Sequence, residues 1–575
     1  MPCIFVHHYT AMSLYQTPSI ALTLPSELVI EICRAYVENI KRQTRCCQPS
    51  VTYDSESFND IINVSQVCRR WRDIITNCPE FWCHSINPHH PVPEWTQLLL
   101  ERSKSRGITF ENLDPGIIEK DGSPFFKELA YANRLLTYSV ALGTGCQIWC
   151  HQIIPMAWSR LQFLCLTHLT YDEVVPDITA FRDENLLMPA DFPSSVSTPK
   201  LEILHLHNCA LANVSQITGL SNLKELHVSG NRVWTIPQWF DIISQLPHIR
   251  SLSLANAISG LDDLADDQAV WGEPNFNLVD LELEEFRLRD ETFLCAKFFS
   301  YLNLMTSNIF QLECLQDEEM DDTETLASFI YQRIKPIVHK LITTNPFFSK
   351  CALRIANNAM ECLGLPEKSS PRGFCWPEKQ YSGAYLSDGA YVRVQIGFND
   401  QNSHASMVRQ LFRPVFNRIE SLSFLDYGNL TDEDVVWISD LLWNSSHRLR
   451  QLTGVPVDAW PIINSNISRL HDTHTPDATT VPFLYALEEL ILWADSDEMA
   501  NSLVSRLYDQ RIAIGKPLKR IRHILPLPGW AEIFSDDTSP LEYLTSPLED
   551  MPNEFLDAHD PASVWMDNSP IQYST

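Results

Sequence analysis

The chain has 575 residues, 45% of them apolar, and a net charge of −29. That length implies more than one domain, and that apolar content implies folded cores. The acidic balance argues against electrostatic binding of nucleic acid or of an anionic membrane, and no uncharged apolar run is long enough to span a bilayer.

Residues 1–21 have no apolar period and read as a flexible lead without the pattern of a signal peptide. Residues 22–86 then form a helical module. Leu24-Pro25-Ser26-Glu27-Leu28 opens it, with Pro25 suited to a first helical turn and Glu27 favoured there by the helix dipole. Leu28 and Ile32 are four apart and share a face, with Val29 beside them. A second helix is expected from about Phe58 to Ile75, where Phe58, Ile61, Ile62, Val64, Val67, Cys68, Trp71, Ile74 and Ile75 follow a 3.6 period. Residues 41–57, which include Cys46 and Cys47, are polar and aperiodic and read as an inserted loop. So few core positions bury little surface on their own, so part of the apolar set should face another protein.

Leu24-Pro-x-Glu-Leu28, Val67-Cys-Arg-Arg-Trp-Arg-Asp73 and Pro79-x-x-Trp82 occur in that order. Together they resemble the F-box of fungal F-box-like proteins, the adaptor-docking module of SCF-type ubiquitin ligases. The resemblance implies docking of a Skp-family adaptor of a cullin ligase through Leu24, Pro25, Leu28, Ile32, Val64, Val67, Cys68 and Trp71. Trp82 would close the small core where the box meets the linker. The helical segments stand further apart than in the usual F-box.

Residues 87–160 read as a linker with a helix from Glu94 to Ser105, Gly107 as its C-cap residue, and a first strand at Ile108–Phe110. From Leu161 a Leu-x-x-Leu-x-Leu unit recurs. It appears at Leu161/Leu164/Leu166, Leu201/Leu204/Leu206, Leu223/Leu226/Val228, Ile249/Leu252/Leu254, Leu278/Leu281/Leu283, Ile419/Leu422/Phe424 and Leu487/Leu490/Leu492, with weaker echoes at Ile309/Leu312 and Leu518/Ile521. From Leu201 to Leu278 the steps are 22, 26 and 29 residues, within the range of leucine-rich repeats, which this segment resembles. Residues two apart on a strand share a face, so stacked units would bury one apolar ladder. The alternate residues would point outward toward a client of unknown identity. These are His205, His207, Glu225, His227, Ser251, Ser253, Asp280, Glu282 and Glu284, with Ser423 and Trp493 further on. The repeat fades within 329–418, which reads as an insertion or degraded repeats, with one more strand at Tyr391–Ile396. Residues 531–575 read as an acidic mobile tail after a repeat domain spanning 161–530.

The expected fold class is α/β: an N-terminal helical F-box-like module followed by an irregular leucine-rich-repeat solenoid with parallel strands. No nucleotide-binding, kinase or hydrolase motif is present, so the chain is expected to be no enzyme and to have no cofactor. Cys146/Cys150/His151 and Cys78/Cys83/His84 lack a second ligand pair at zinc-finger spacing, Asp262-Asp263 and Asp266-Asp267 lack calcium-loop spacing, and no metal ligand is assigned. The sixteen scattered cysteines fit reduced thiols in a cytoplasmic or nuclear protein. The expected function is a substrate receptor that holds a client beside a cullin ligase. The alternative is a repeat-protein scaffold whose N-terminal helices serve only as a cap. Exposure separates the two: a cap buries Leu28, Ile32 and Val67 in its own chain. A hydrolase within 329–418 has no motif behind it.

Overall fold

The recurrent apolar spacing becomes a series of parallel strands in the computed structural model, a mixed α/β fold. The structure describes residues 23–35, 64–83, 86, 93–113, 134–142, 158–168, 186–188, 192–194, 196–211, 213–230, 232, 234–259, 279–315, 323–355, 359–365, 390–396, 403–424, 432–445, 447–456, 486–493 and 520–524. The expected lead, the 41–57 loop, the acidic tail, the Cys146/Cys150/His151 cluster, Asp262 to Asp267 and Leu278 lie outside these residues. The chain divides into two compact units, Met1–Asn231 with Asp241–Ile249, and Arg232–Phe240 with Arg250–Thr575.

The first unit opens on helix α1 (26–35), whose first turn closes with Val29 N donating to Pro25 O at 3.1 Å. Val29 and Cys33, four apart, are buried. The single helix expected over Phe58 to Ile75 is broken. Val64 and Ser65 are helical, Gln66 and Val67 turn, and helix α2 (Arg69–Thr76) starts afresh. The break is local chemistry. Cys68 is extended (φ −158°), and its Sγ accepts from Trp71 N, so Cys68 caps α2 instead of continuing a helix through it. Helix α3 (Pro79–Trp82) follows with proline in its first turn. Trp82 is buried; its Nε1 donates to Ile75 O at 2.9 Å, and the Arg102 guanidinium of helix α4 (Pro93–Ser103) lies 4.7 Å from its ring centre. Trp82 thus joins the module to the linker helix.

Beyond it run β1 (Ile108–Leu113), β2 (Leu135–Leu142), β3 (Phe163–His168), β5 (Ile203–His207) and β7 (Glu225–Ser229), paired in that order and all parallel. β4 (Leu186–Met188) and β6 (Cys209–Leu211) form a separate parallel pair. Leu164/Leu166, Leu204/Leu206 and Leu226/Val228 stand in register and are fully buried. Leu161, Leu201 and Leu223 enter the same core from tight turns, each N–H reaching the carbonyl three residues back. The residue after the strand is left-handed: Asn208 at φ 52° and Gly230 at φ 70°. A Cβ on Gly230 would lie 1.8 Å from Asn208 Oδ1.

The second unit orders its strands β8-β9-β10-β13-β12-β11-β14-β15-β16-β17: β8 (Ser251–Ala255), β9 (Val279–Glu291), β10 (Leu302–Leu315), β11 (Cys351–Ile355), β12 (Ala359–Gly364), β13 (Tyr391–Ile396), β14 (Ile419–Phe424), β15 (Gln451–Pro456), β16 (Glu489–Trp493) and β17 (Arg520–Ile524). Its register corrects the sequence reading. Leu252 and Leu254 align with Phe286 and Leu288, not with Leu281 and Leu283, which pair instead with Leu304 and Thr306. β9 carries two apolar sets out of phase, and the leucine-only set masked the aromatic one. Phe286, Phe298, Phe299 and Phe310 then pack as a cluster, with ring centres 6.0 to 6.5 Å apart. Phe298 and Phe299 come from helix α5 (Thr292–Tyr301), the crossover between β9 and β10.

Around 329–418 the described elements include a long helix and an antiparallel strand. Helix α6 (Thr323–Thr344) buries Ala327, Ile330, Ile334, Val338, Leu341 and Ile342 at helical spacing. β12 is antiparallel to both its neighbours β11 and β13, whereas β13 is parallel to β10 and β11 to β14. Tyr391–Ile396 is a strand, as its alternation indicates.

Candidate functional site

In the N-terminal module the buried and exposed apolar residues separate cleanly. Val29, Cys33 and Ile75 are fully buried. Leu28, Ile32 and Val67 remain 49%, 46% and 55% exposed. Leu28 and Ile32 lie four apart on one face of α1 while Val29 and Cys33 face the module's own core. Arg34 pairs with Glu31 on α1 and with Glu80 of α3 at 2.8 Å, which fixes α1 against α3. Pro25 is exposed, and Leu24, Val64 and Cys68 are half-buried. Trp71 is buried, and the Cys68 sulfur caps α2. Burial, with Cys78 adding to it, pushes the Cys33 thiol up to about 11.

The second candidate surface is the strand face opposite the leucine ladder. In the first unit, Cys165 of β3, His205 of β5 and His227 of β7 stand side by side in register. His205 Nε2 donates to Glu225 Oε1 at 2.8 Å, and His207 Nδ1 shares a 2.6 Å hydrogen bond with Ser229 Oγ. The His227 ring centre is 5.4 Å from that of His205 and 4.8 Å from that of His207. One donor atom from each of Cys165, His205 and His207 lies within 4.8 Å of the others, and among the described residues this is the one such group that could hold a metal ion. Burial opposes charge on the Cys165 thiol, but hydrogen bonds from His205 and His207 outweigh it and bring the thiol down to about 5. His205 is held up to about 9; burial lowers it, and its bonds to Cys165 and Glu225 overcome that.

In the second unit the expected outward residues fall into two rows. Asp280, Glu282 and Glu284 are exposed; Asp280 and Glu282 stand opposite Asn303 and Met305, and Asp280 accepts from Asn303 Nδ2 at 2.7 Å. Ser251 and Ser253 stand opposite Glu285 and Arg287. The row through Ser253 continues across the sheet as Arg287, Gln311, Arg393, Glu361, Arg354 and Ser423. Its charges are paired. Arg393 meets Glu361 at 3.3 Å, Arg354 meets Glu361 at 3.5 Å, and Arg287 pairs with Glu285. Ser423 belongs to the expected set, and the side chain of Trp493 lies outside the described residues. The arginines escape a leucine-repeat search because their strands carry Phe-x-Leu and Val-x-Val; the alternation Glu285-Phe286-Arg287-Leu288-Arg289 is the signal that finds them.

Residues 57–83 match the F-box domain family. The chain carries an F-box domain there. Val67, α2 and α3 lie inside the match; Leu28 and Ile32 of α1 precede it. Comparison with curated proteins finds no match. No helix among the described residues is long and apolar enough to cross a membrane.

Proposed function

We propose that this protein is the substrate receptor of an SCF-type ubiquitin ligase. The F-box docks a Skp-family adaptor through Leu28, Ile32 and Val67, flanked by Leu24, Pro25 and Val64. The observation that carries this is the half-exposure of Leu28, Ile32 and Val67 beside a fully buried Val29, Cys33 and Ile75, in and next to the segment that matches the F-box. A purely internal cap would cover those three residues, so the scaffold alternative is the weaker one. An apolar helix face presented in this way suits a helix-in-groove contact.

The strand region acts as the client-holding part, and its ladder supports an assignment to irregular leucine-rich repeats in the first unit, where Leu204/Leu206 and Leu226/Val228 stack in register. The antiparallel β12 interrupts that pattern in the second unit. The client meets the polar strand face of the first unit, where His205, His207, Glu225 and His227 stand. The protein contributes proximity between client and ubiquitin-loaded enzyme, with no bond chemistry of its own. A cytoplasmic or nuclear location accompanies this role and fits the free cysteines among the described residues.

The test is co-purification with a Skp-family adaptor beside a chain lacking residues 22–86. Stoichiometric capture that disappears with the deletion is expected. Absence of capture by a full-length chain that is folded by circular dichroism overturns the proposal.

A further inference from the structure

Outside the docking face, the chemistry-bearing side chains gather most densely where β3, β5 and β7 run side by side. Cys165 and His205 are register partners on adjacent parallel strands, so their side chains rise together from the same face. His207 lies two residues beyond His205 and shares that face. Their donor atoms lie within 4.8 Å of one another. Zinc bonds of about 2.0 Å to nitrogen and 2.3 Å to sulfur put tetrahedral donors roughly 3.5 Å apart.

The surroundings are built as a metal site needs. The hydrogen bond from His205 Nε2 to Glu225 makes Nδ1 its other ring nitrogen, and the bond of His207 Nδ1 to Ser229 makes Nε2 the other one. Metal-binding imidazoles are oriented in this way, each anchored through one ring nitrogen so that the second meets the ion, and a carboxylate anchor raises the basicity of its ring. Phe163 stands edge-on to His205 at 5.2 Å on one side, and His227 lies against both rings on the other. One thiolate and two imidazoles form a donor set suited to a borderline-soft ion, zinc above all, and unsuited to calcium or magnesium.

We propose that Cys165, His205 and His207 bind one divalent transition-metal ion of the zinc class, with Glu225 and Ser229 orienting the two histidines. Three protein donors leave a fourth position on the ion, open to water or to a side chain of a bound protein. The site is independent of the ligase assignment; it depends on three strands of the first unit and not on the F-box.

The experiment titrates the metal-stripped full-length chain with Co2+ and then displaces it with Zn2+. A sulfur-to-cobalt charge-transfer band is expected, lost in Cys165→Ser and displaced by Zn2+. Glu225→Gln, which leaves all three donors in place, is expected to raise the Zn2+ dissociation constant by about 10-fold to 100-fold. A second readout keeps the test decisive if Cys165→Ser fails to fold: alkylation of Cys165 in the wild-type chain, followed by mass spectrometry, is strongly slowed by Zn2+. Wild type and Cys165→Ser taking up Co2+ with the same band overturns the site. So does alkylation of Cys165 at one rate with and without Zn2+, which would leave a histidine-activated thiolate and no metal centre.

Discussion

The N-terminal module and the strand ladder of the first unit use the same apolar residue types to opposite ends. In the ladder, Leu204, Leu206, Leu226 and Val228 are each covered by a neighbouring strand and fully buried. In the module, Leu28, Ile32 and Val67 stay about half exposed although Val29 and Cys33 beside them are buried. Apolar periodicity identifies an element and its faces. Whether a face closes inside the chain or waits for a partner depends on how many elements stand ready to cover it. Parallel strands supply their own neighbours by repetition, whereas a short helical module with one core has a second face left over.

That contrast can be broken by substitution. The largest effect is expected from Leu28→Asp with Ile32→Asp. Adaptor capture is abolished, while the melting temperature stays near that of wild type, because charge on an already exposed face costs little. A large drop in melting temperature would place those residues in an internal core. Leu226→Ala should do the reverse: adaptor capture is retained, and denaturant unfolding shows a loss of about 2–5 kcal/mol from a fully buried position.

Gly230→Ala tests the turn that ends a ladder strand. Its φ of 70° and the nearby Asn208 side chain leave no room for a methyl group. A loss of about 1–3 kcal/mol is expected by the same denaturant measurement, and an unchanged midpoint would show that the turn relaxes freely.

A pH slope is expected in the second unit. Asp290 is fully buried; its Oδ2 accepts from Ala257 N and Ile258 N, and Arg232 stands 3.8 Å away. Burial pushes its carboxyl up to about 7, against the pull of Arg232 and the backbone N–H groups. Between about pH 4 and pH 7 the folded chain therefore keeps a proton that the unfolded chain has released, and this group's contribution to stability falls as pH rises. The melting temperature of wild type minus that of Asp290→Asn should decline across that window. A flat difference would mean that the carboxylate is fully compensated where it lies.

Much of this was legible in the residues themselves. The F-box segments, the linker helix, the first strand at Ile108 and the strand at Tyr391–Ile396 all announce themselves through proline, capping residues and alternation, which act over a few positions. The leucine triads of β3, β5 and β7 are equally local, and so their outward partners His205, His207, Glu225 and His227 could be named in advance. Cys165 could not. It belongs with two histidines some forty residues away, and only the register of β3 against β5 brings them together. Likewise only strand pairing joins Arg287, Gln311 and Arg393 in one row, and only it sets Phe286 rather than Leu281 opposite Leu252. A strand's alternation says which residues share a face, but pairing decides which neighbour each apolar set meets, and a slip of one residue exchanges the faces. The sequence by itself determined the elements and their apolar faces, because those depend on contacts a few residues apart. The tertiary structure alone decided which faces close on the chain, which stay open, and which distant side chains meet, because those depend on neighbours the local pattern does not contain.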